Sequence, residues 1–293
     1  MADDVRSLDS DWLRDNPLPV PDDDTDKNGR GRVLAIGGSR IVPGGIRLTV
    51  EAALRAGAGK VQVVTIETAA IALGVAMPEA AVFGVEETHA GEIAQSGLCV
   101  ISELMTRCDA IVAGPAMGDA EAAGRIVDAL LAVPDARLVL DAQALLALER
   151  RREAISKHRP PAILTPHIGE MAAMLQRTAE SIEHDRCSAA REAAERFAAV
   201  CVLKGPTTII ADPEGAAFAY AGGGVGLATG GSGDVMAGVA AGLSARGAAP
   251  LNAALWAVWL HGEAGRRCSE RFGAVGYLAR EVIAKVPGIM RGL

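Results

Sequence analysis

The feature that most constrains the fold is an alternation of short apolar segments with longer alanine-rich segments. Six apolar runs have the length and composition of buried strands: residues 33–36, 61–66, 110–113, 138–140, 162–164 and 201–203. Stretches of helical length lie between most of them, at residues 46–56, 121–131 and 188–199. Because strands that alternate with helices form βαβ units, the sequence predicts an α/β fold. Its central sheet should be mostly parallel, with helices on both faces.

The sequence after the last of these runs predicts a hairpin and then a helical region. Residues 208–211 and 216–220 are separated by Asp-Pro-Glu-Gly, a combination typical of a β-turn. Helical segments follow at residues 234–245, 251–268 and 277–285. We find neither an internal repeat nor a linker, so we expect residues 32–293 to form a single domain.

Residues 1–31 differ in composition from the rest of the chain. They are rich in Asp, Pro and Gly, and we expect a poorly ordered acidic extension. This segment has neither the basic region nor the apolar segment of a signal peptide. The five cysteines form no Cys-x-x-Cys pair, which favours reduced thiols and a cytoplasmic protein.

The composition excludes two classes of partner. A net charge of −7 does not suit nucleic-acid binding, which normally needs a clustered basic surface. No apolar run is long enough to span a membrane without a charge or a glycine, so we expect no membrane contact. Half of the residues are hydrophobic and only 3% are aromatic, so the core must be built mainly from Ala, Val, Leu and Ile.

The unusual motifs share one position, because each follows a predicted strand. They are Gly37-Gly38-Ser39, Gly114-Pro115-Ala116-Met117-Gly118-Asp119, Asp141, Thr165-Pro166-His167-Ile168-Gly169-Glu170 and Lys204-Gly205-Pro206-Thr207-Thr208. In open α/β sheets, ligands bind in the crevice beyond the carboxyl ends of the strands. We therefore expect these segments to line one ligand site.

The strongest single motif is Gly230-Gly231-Ser232-Gly233-Asp234 at the start of a predicted helix. Glycines let the backbone approach an anion closely, and free N–H groups at a helix start attract negative charge. Asp234 would repel that anion unless it takes a proton there, as a general base does when a hydroxyl attacks a phosphoryl group. The alternative is a plain turn with Asp234 as a helix cap.

The remaining candidates are weaker. His167 could be a ligand or a structural residue, and Lys204 could bind a phosphate or be solvated. The sequence contains no Walker A motif and lacks the spacing of a dinucleotide-binding fingerprint. No cluster has metal-ligand spacing, so we expect no protein-held metal, and any Mg²⁺ should arrive with a nucleotide.

Together, the motifs resemble those of the ADP/ATP-dependent NAD(P)H-hydrate dehydratases, a branch of the ribokinase-like superfamily. The resemblance extends from about residue 32 to residue 289. Five motifs carry it in order: Gly-Gly-Ser with Pro43-Gly44-Gly45, Ala56-Gly57-Ala58-Gly59, Gly114-Pro115, Pro166-His167-x-Gly169-Glu170 and Thr229-Gly230-Gly231-Ser232-Gly233-Asp234.

The resemblance implies repair of hydrated NADH or NADPH with ADP or ATP. Gly45, Gly118, His167 and Asp234 would then contact the hydrated cofactor. The nucleotide would contact Gly233 and the segment Lys204-Gly205-Pro206-Thr207-Thr208. Asp234 would be the base, and the turn formed by Gly231, Ser232 and Gly233 would stabilise the phosphoryl group. A homotetramer and a separate epimerase are further expectations from the family.

The chain departs from the family pattern at several positions, two of which bear on activity. The family's Asp-Ala-Asp-Ala-Leu-Asn is Asp-Ala-Gln143-Ala-Leu-Leu here, and its Gly-Asn-Pro-Gly becomes Gly-Gly224-Val-Gly. Two other functions are compatible with the motifs: a ribokinase-like kinase of a small alcohol or vitamin precursor, and a non-catalytic nucleotide-binding protein.

Overall fold

The computed structural model describes residues 5–133 and 135–292. Ten strands form one sheet: β1 (Val5–Ser7), β2 (Arg32–Ile36), β3 (Lys60–Ile66), β4 (Ala80–Val85), β5 (Ala110–Ala113), β6 (Arg137–Leu140), β7 (Ile163–Leu164), β8 (Val200–Leu203), β9 (Thr208–Ala211) and β10 (Ala217–Tyr220). The strand order across the sheet is β1-β10-β9-β8-β7-β6-β5-β2-β3-β4.

The described α-helices lie along the chain in the following order: α1 (Ser10–Asp15), α2 (Gly45–Arg55), α3 (Glu67–Ala76), α4 (Leu98–Met105), α5 (Ala120–Leu131), α6 (Gln143–Leu146), α7 (Arg152–Lys157), α8 (Ile168–Leu175), α9 (Ala179–His184), α10 (Arg186–Phe197), α11 (Ser232–Ala245), α12 (Pro250–Phe272), α13 (Ala279–Ile283) and α14 (Val286–Met290).

The sheet is mostly parallel, as the sequence predicted. All neighbouring strands from β4 to β8 pair in parallel, and only the two pairs that involve β9 are antiparallel. The six predicted core strands end within one residue of the observed ones, and the hairpin is β9–β10. The sequence did not predict β1 or β4, which occupy the two edges of the sheet.

The predicted acidic extension contains two elements within residues 5–16, the strand β1 and the helix α1. Strand β1 pairs with β10, and the Asp9 side chain caps α1 by accepting hydrogen bonds from two backbone N–H groups. Leu13 is fully buried, and the Trp12 ring packs edge-on against Phe218 with 5.3 Å between centroids. Apolar burial therefore orders this segment despite its acidic composition.

The core lies in two apolar layers, one on each face of the sheet. On one face, α11 packs closely against α2, which two glycines of α11 make possible. A Cβ on Gly238 would lie 2.3 Å from the backbone oxygen of Thr49, and a Cβ on Gly242 would lie 2.5 Å from that of Ala53. These contacts fix α11 along the sheet, so that its first turn reaches the carboxyl edge of the strands.

Within residues 5–133 and 135–292, we find no helix with the length and apolarity that crossing a membrane requires.

Candidate active site

The loops that follow β2, β5, β7 and β8 meet at the carboxyl edge of the sheet. The Gly38 N–H donates to the Pro115 carbonyl at 3.0 Å, which joins the loops after β2 and β5. The Lys204 N–H donates to the Pro166 carbonyl at 2.8 Å, which joins the loops after β7 and β8. The predicted motifs are therefore adjacent in the structure.

A lysine surrounded by carboxylates forms the centre of the site. Lys204 Nζ lies 2.9 Å from Asp141 Oδ1 and 3.8 Å from Glu170 Oε2. The Thr165 hydroxyl donates to the same Asp141 oxygen at 2.8 Å, and Asp141 is almost fully buried. Burial opposes the charge of Lys204, but the carboxylates of Asp141 and Glu170 raise its pKa, so the ammonium remains charged.

Asp234 lies in the first turn of α11, beside this cluster. Burial is the main cause that raises the pKa of its carboxyl group, to about 7. The negative charges of Asp141 and Glu170 raise the pKa further, and the positive charge of Lys204 opposes them. A carboxylate with a pKa near neutrality is suited to accept a proton from a substrate hydroxyl.

Glu170 shares the electrostatic environment of Asp234. Burial raises the pKa of its carboxyl group, against the positive charge of Lys204, which lowers it. The site therefore holds three acidic side chains around one ammonium group. The phosphate groups of a nucleotide would compete with these carboxylates for Lys204.

The glycine-rich turn before α11, formed by Gly230, Gly231, Ser232 and Gly233, is named the anion turn after its predicted ligand. Gly231 has a φ of 85°, and a Cβ there would lie 2.4 Å from Leu48 Cδ1. The Ser232 N–H is used within the turn, since it donates to the Thr229 carbonyl at 3.2 Å. The N–H groups of Gly233 and Asp234, in the first turn of the helix, have no acceptor within α11 and are available to an anion.

Gly233 faces the charged cluster. A Cβ at this position would lie 3.2 Å from Lys204 Nζ and 3.8 Å from Asp141 Oδ2. The absence of a side chain thus keeps space open between the turn and the ammonium group. A phosphoryl group in that space would meet backbone N–H groups on one side and Lys204 on the other.

His167 has a structural function that the sequence did not distinguish from ligand binding. Its Nδ1 accepts hydrogen bonds from the N–H groups of Gly169 and Glu170, so it caps α8. The Glu170 carboxylate accepts in turn from the His167 N–H at 2.8 Å. More than half of the His167 side chain is exposed. The imidazole therefore has a fixed orientation and an accessible edge.

Gly45 and Gly118, predicted to contact a substrate, meet at the segment 114–119 after β5. Gly118 belongs to this segment, and Gly45 packs against it. A Cβ on Gly45 would be 2.5 Å from Ala116 Cβ. The Gly118 N–H donates to Glu92 Oε1 at 2.9 Å, and Glu92 is almost fully buried. Glu92 comes from the loop after the unpredicted strand β4, so no signal in the sequence indicated that it supports this segment.

Arg186 contacts the backbone at the start of the predicted nucleotide-binding segment, residues 204–208. One guanidinium nitrogen donates to the carbonyls of Leu203 and Lys204, at 3.2 and 2.9 Å. The Thr208 hydroxyl closes the turn by donating to the Gly205 carbonyl at 3.3 Å. The same segment leaves Gly205 and Pro206 exposed, with Thr207 half-buried between its neighbours. An exposed, internally bonded turn of this kind can receive a ligand without being reorganised.

Sequence reasoning missed a histidine behind the anion turn. His261 of α12 lies with Nε2 2.9 Å from the Ser232 hydroxyl oxygen. Burial lowers the pKa of the imidazole to about 4, so the ring is neutral near pH 7. The two residues belong to different helices, and no motif links them in the sequence.

No metal centre is formed by the protein alone in the described part of the chain. Residues 5–133 and 135–292 contain no group of three or more His, Cys, Asp or Glu side chains that could hold a metal ion. Lys204 occupies the position between Asp141 and Glu170, where a cation would otherwise be attracted.

The fold and the site define the class of protein: a ribokinase-like α/β protein with a glycine-rich turn and an acidic residue at the start of one helix. Comparison with known proteins makes this assignment more specific. A family model described as NAD(P)H-hydrate dehydratase matches residues 33–288. The chain belongs to the NAD(P)H-hydrate dehydratase family.

Individual relatives agree with this assignment. An ADP-dependent (S)-NAD(P)H-hydrate dehydratase from Xanthomonas campestris pv. campestris is 43% identical over 286 residues, which cover 98% of this chain and 96% of the relative. A bifunctional NAD(P)H-hydrate repair enzyme from Thermofilum pendens is 36% identical, and the match covers 94% of this chain but 53% of that protein. This chain thus spans about half the length of the bifunctional relative.

A solved structure is similar over its whole length. The ADP/ATP-dependent NAD(P)H-hydrate dehydratase from Bacillus subtilis, co-crystallised with ATP and Mg²⁺, superposes with a TM-score of 0.87. Its sequence is 30% identical, and the match covers 99% of each chain.

Proposed function

We propose that this protein restores hydrated NADH or NADPH to the reduced cofactor at the expense of ADP or ATP, which makes it a lyase. The observation that carries the proposal is the position of Asp234. Its carboxyl group has a pKa of about 7 and lies where the anion turn meets Lys204. The family membership and the names of the Xanthomonas and Bacillus relatives support the same reaction.

Asp234 begins the reaction as a general base. It accepts the proton of the ring hydroxyl, whose oxygen attacks the terminal phosphoryl group of the nucleotide. The bond between that phosphorus and the rest of the nucleotide breaks, which leaves AMP from ADP or ADP from ATP. The ring carbon–oxygen bond then breaks, phosphate leaves with the electron pair, and the neighbouring ring carbon loses a proton. The ring double bond is thereby restored.

The anion turn and Lys204 stabilise the phosphoryl group as its charge changes. The N–H groups of Gly233 and Asp234 are fixed at the positive end of α11, where they need no reorganisation during the reaction. In this proposal the hydrated cofactor lies against Gly45, Gly118 and His167. The nucleotide lies against Gly233 and residues 204–208.

Mg²⁺ fits the site as an ion that arrives with the nucleotide. The carboxylates of Asp141 and Glu170 offer the oxygen ligands that Mg²⁺ prefers, but Lys204 is already paired with them. The nucleotide phosphates and water would therefore supply most ligands, with Glu170 as the accessible protein carboxylate. When bound, the ion would neutralise charge on the phosphates.

The proposal includes partners and a cellular location. A separate epimerase would interconvert the two hydrate epimers, which the bifunctional name of the Thermofilum relative supports. The reaction would take place in the cytoplasm. The proposed assembly is a homotetramer, and the exposed Ile71 and Val75 of α3, beside the edge strand β4, offer an apolar surface for one subunit contact.

The test is to mix purified protein with hydrated NADH, Mg²⁺ and ADP or ATP, and to follow the absorbance band of reduced nicotinamide. Growth of the band that depends on nucleotide and is matched by phosphate release is expected. A kinase of a small alcohol would leave phosphate on its product and release none. A non-catalytic protein would bind the nucleotide and change neither signal.

A further inference from the structure

The contact between Ser232 and His261 lies behind the anion turn. Ser232 is the first residue of α11 and is only 5% exposed, and its hydroxyl oxygen is 2.9 Å from His261 Nε2. His261 is in the middle of α12, a helix of 23 residues that packs along α11. The contact therefore connects the turn to one of the longest rigid elements of the core.

The imidazole of His261 is suited to a permanent hydrogen bond. Burial lowers its pKa to about 4, a hydrogen bond to the Ser232 backbone opposes this shift, and the positive charge of Lys204 also disfavours protonation. A neutral imidazole carries one N–H, so Nε2 either donates to the Ser232 hydroxyl or accepts from it. Both tautomers of His261 preserve the hydrogen bond with Ser232, and neither places a second positive charge beside Lys204.

The backbone hydrogen bonds of the turn are local, and α2 packs against it at Gly231. The Ser232 N–H donates to the Thr229 carbonyl, and the Val235 N–H donates to the Gly231 carbonyl, which are both contacts within the turn itself. A Cβ on Gly230 would meet no atom within 4 Å, so that side of the turn is open. Glycine-rich backbone is conformationally free unless the surrounding structure holds it.

We propose that His261 is a positioning residue for the reaction, acting through the Ser232 hydroxyl. The bond ties the anion turn to α12 and so fixes the N–H groups of Gly233 and Asp234, together with the Asp234 carboxylate. The Ser232 hydroxyl is then a tether and not a phosphate ligand. This inference rests on the proposed function, because the phosphoryl group is what the fixed turn stabilises.

Three substitutions distinguish the effect of losing the Ser232–His261 hydrogen bond from a general loss of stability. The Ser232→Ala variant removes the hydroxyl, and the His261→Asn variant removes the nitrogen that reaches it. The His261→Gln variant keeps an amide within reach of Ser232, because Gln extends about as far as Nε2. His184, an exposed residue at the end of α9, supplies the matched control His184→Asn.

The expected pattern is a loss of turnover without a loss of nucleotide binding. We expect Ser232→Ala and His261→Asn to lower kcat about tenfold, on the scale of a loosened catalytic donor. The dissociation constant for ADP should change less than about twofold, and His261→Gln should recover kcat to within about threefold of the wild type. The double variant that combines Ser232→Ala with His261→Asn should be no slower than Ser232→Ala alone, because both substitutions remove the same hydrogen bond.

A double variant in which the two losses of kcat multiply would overturn the proposal. A tenfold weakening of ADP binding by His261→Asn would also overturn it, because His261 would then contact the nucleotide. NMR of ¹⁵N-histidine-labelled protein tests the tether without any activity. The Ser232→Ala variant must shift the His261 imidazole resonances and leave those of His184 unchanged. A wild-type protein without dehydratase activity would contradict the proposed function but not the tether. His261 imidazole resonances that do not shift in the Ser232→Ala variant would contradict the tether.

Discussion

Replacing Asp234 with Asn should remove turnover and at the same time stabilise the protein at neutral pH. The Asn side chain keeps the shape of Asp but cannot accept the hydroxyl proton. General acid–base catalysis contributes about 10²–10⁴-fold, so kcat should fall by at least about a hundredfold. Affinity for ADP should stay constant or rise, because a negative charge near the phosphates is gone.

The stability change follows from the pKa of Asp234. The folded protein raises it from 3.8 to about 7, so the folded state holds this proton more tightly than the unfolded state. The carboxylate therefore costs stability as the pH rises from about 4 to 7, and the full cost applies above that range. At about 1.36 kcal/mol for each tenfold change in acidity, the difference between 3.8 and about 7 gives a maximum cost of roughly 4 kcal/mol. Asp234→Asn should relieve this cost.

Thermal denaturation at pH 8 and pH 5 measures the prediction. The melting temperature of Asp234→Asn should exceed that of the wild type at pH 8, by several degrees if about 2 kcal/mol is recovered. The difference should shrink by more than half at pH 5, where the wild-type carboxyl is protonated in the folded state. The wild-type kcat/KM should also rise with pH through about 7. Equal melting temperatures at pH 8, or turnover close to normal, would refute the assignment of Asp234.

Four further predictions test the site and its supports. Lys204→Met should weaken ADP binding about tenfold or more by calorimetry, since it removes the cation and leaves the Asp141 carboxylate without its counter-ion near the phosphates. Gly224→Asn, which restores the family residue, should cost about 1–3 kcal/mol in urea denaturation, because φ 80° and ψ 169° suit only glycine. Leu13→Ala should cost about 2–5 kcal/mol, measured the same way, whereas a peripheral segment would lose little. Ile71→Glu should reduce the assembly mass by light scattering if α3 lies in an interface; an unchanged mass would exclude α3.

The parts of the fold that the sequence predicted are those with continuous apolar runs. The strands from 33–36 to 201–203 are buried on both faces, so almost every residue in them is hydrophobic. Strand β4 has several exposed or half-buried residues and contains a glycine, and β1 has only three residues. Edge strands of this kind depend on pairing with a neighbour, and composition alone does not indicate that pairing.

The site was predictable where it follows from topology. Motifs after parallel strands must meet at one edge of the sheet, which explains why the segments containing Asp141, Glu170 and Lys204 come together. The contacts that tune these groups were not predictable. Glu92 reaches Gly118 from an unpredicted loop, and His261 reaches Ser232 across two helices. Such pairings depend on the packing angle of whole elements, which local sequence does not encode.

The capping role of His167 shows a related limit. The Pro-His-x-Gly-Glu motif predicted a segment of the site, yet the sequence alone did not distinguish a ligand-binding residue from a structural one. The structure shows that Nδ1 accepts hydrogen bonds from the N–H groups of α8 and that Nε2 lies 3.3 Å from Glu170 Oε1. A contact between His167 and the hydrated cofactor through Nε2 would therefore compete with Glu170.

The most direct test of the central claim is to follow the oxygen of the ring hydroxyl. Hydrated NADH prepared in ¹⁸O water carries the label at that position, and the products can be analysed by mass spectrometry after a single turnover with ADP and Mg²⁺. Because the hydroxyl is phosphorylated before its carbon–oxygen bond breaks, the label should appear in inorganic phosphate. Label found in water, or retained on a phosphorylated cofactor, would contradict the account.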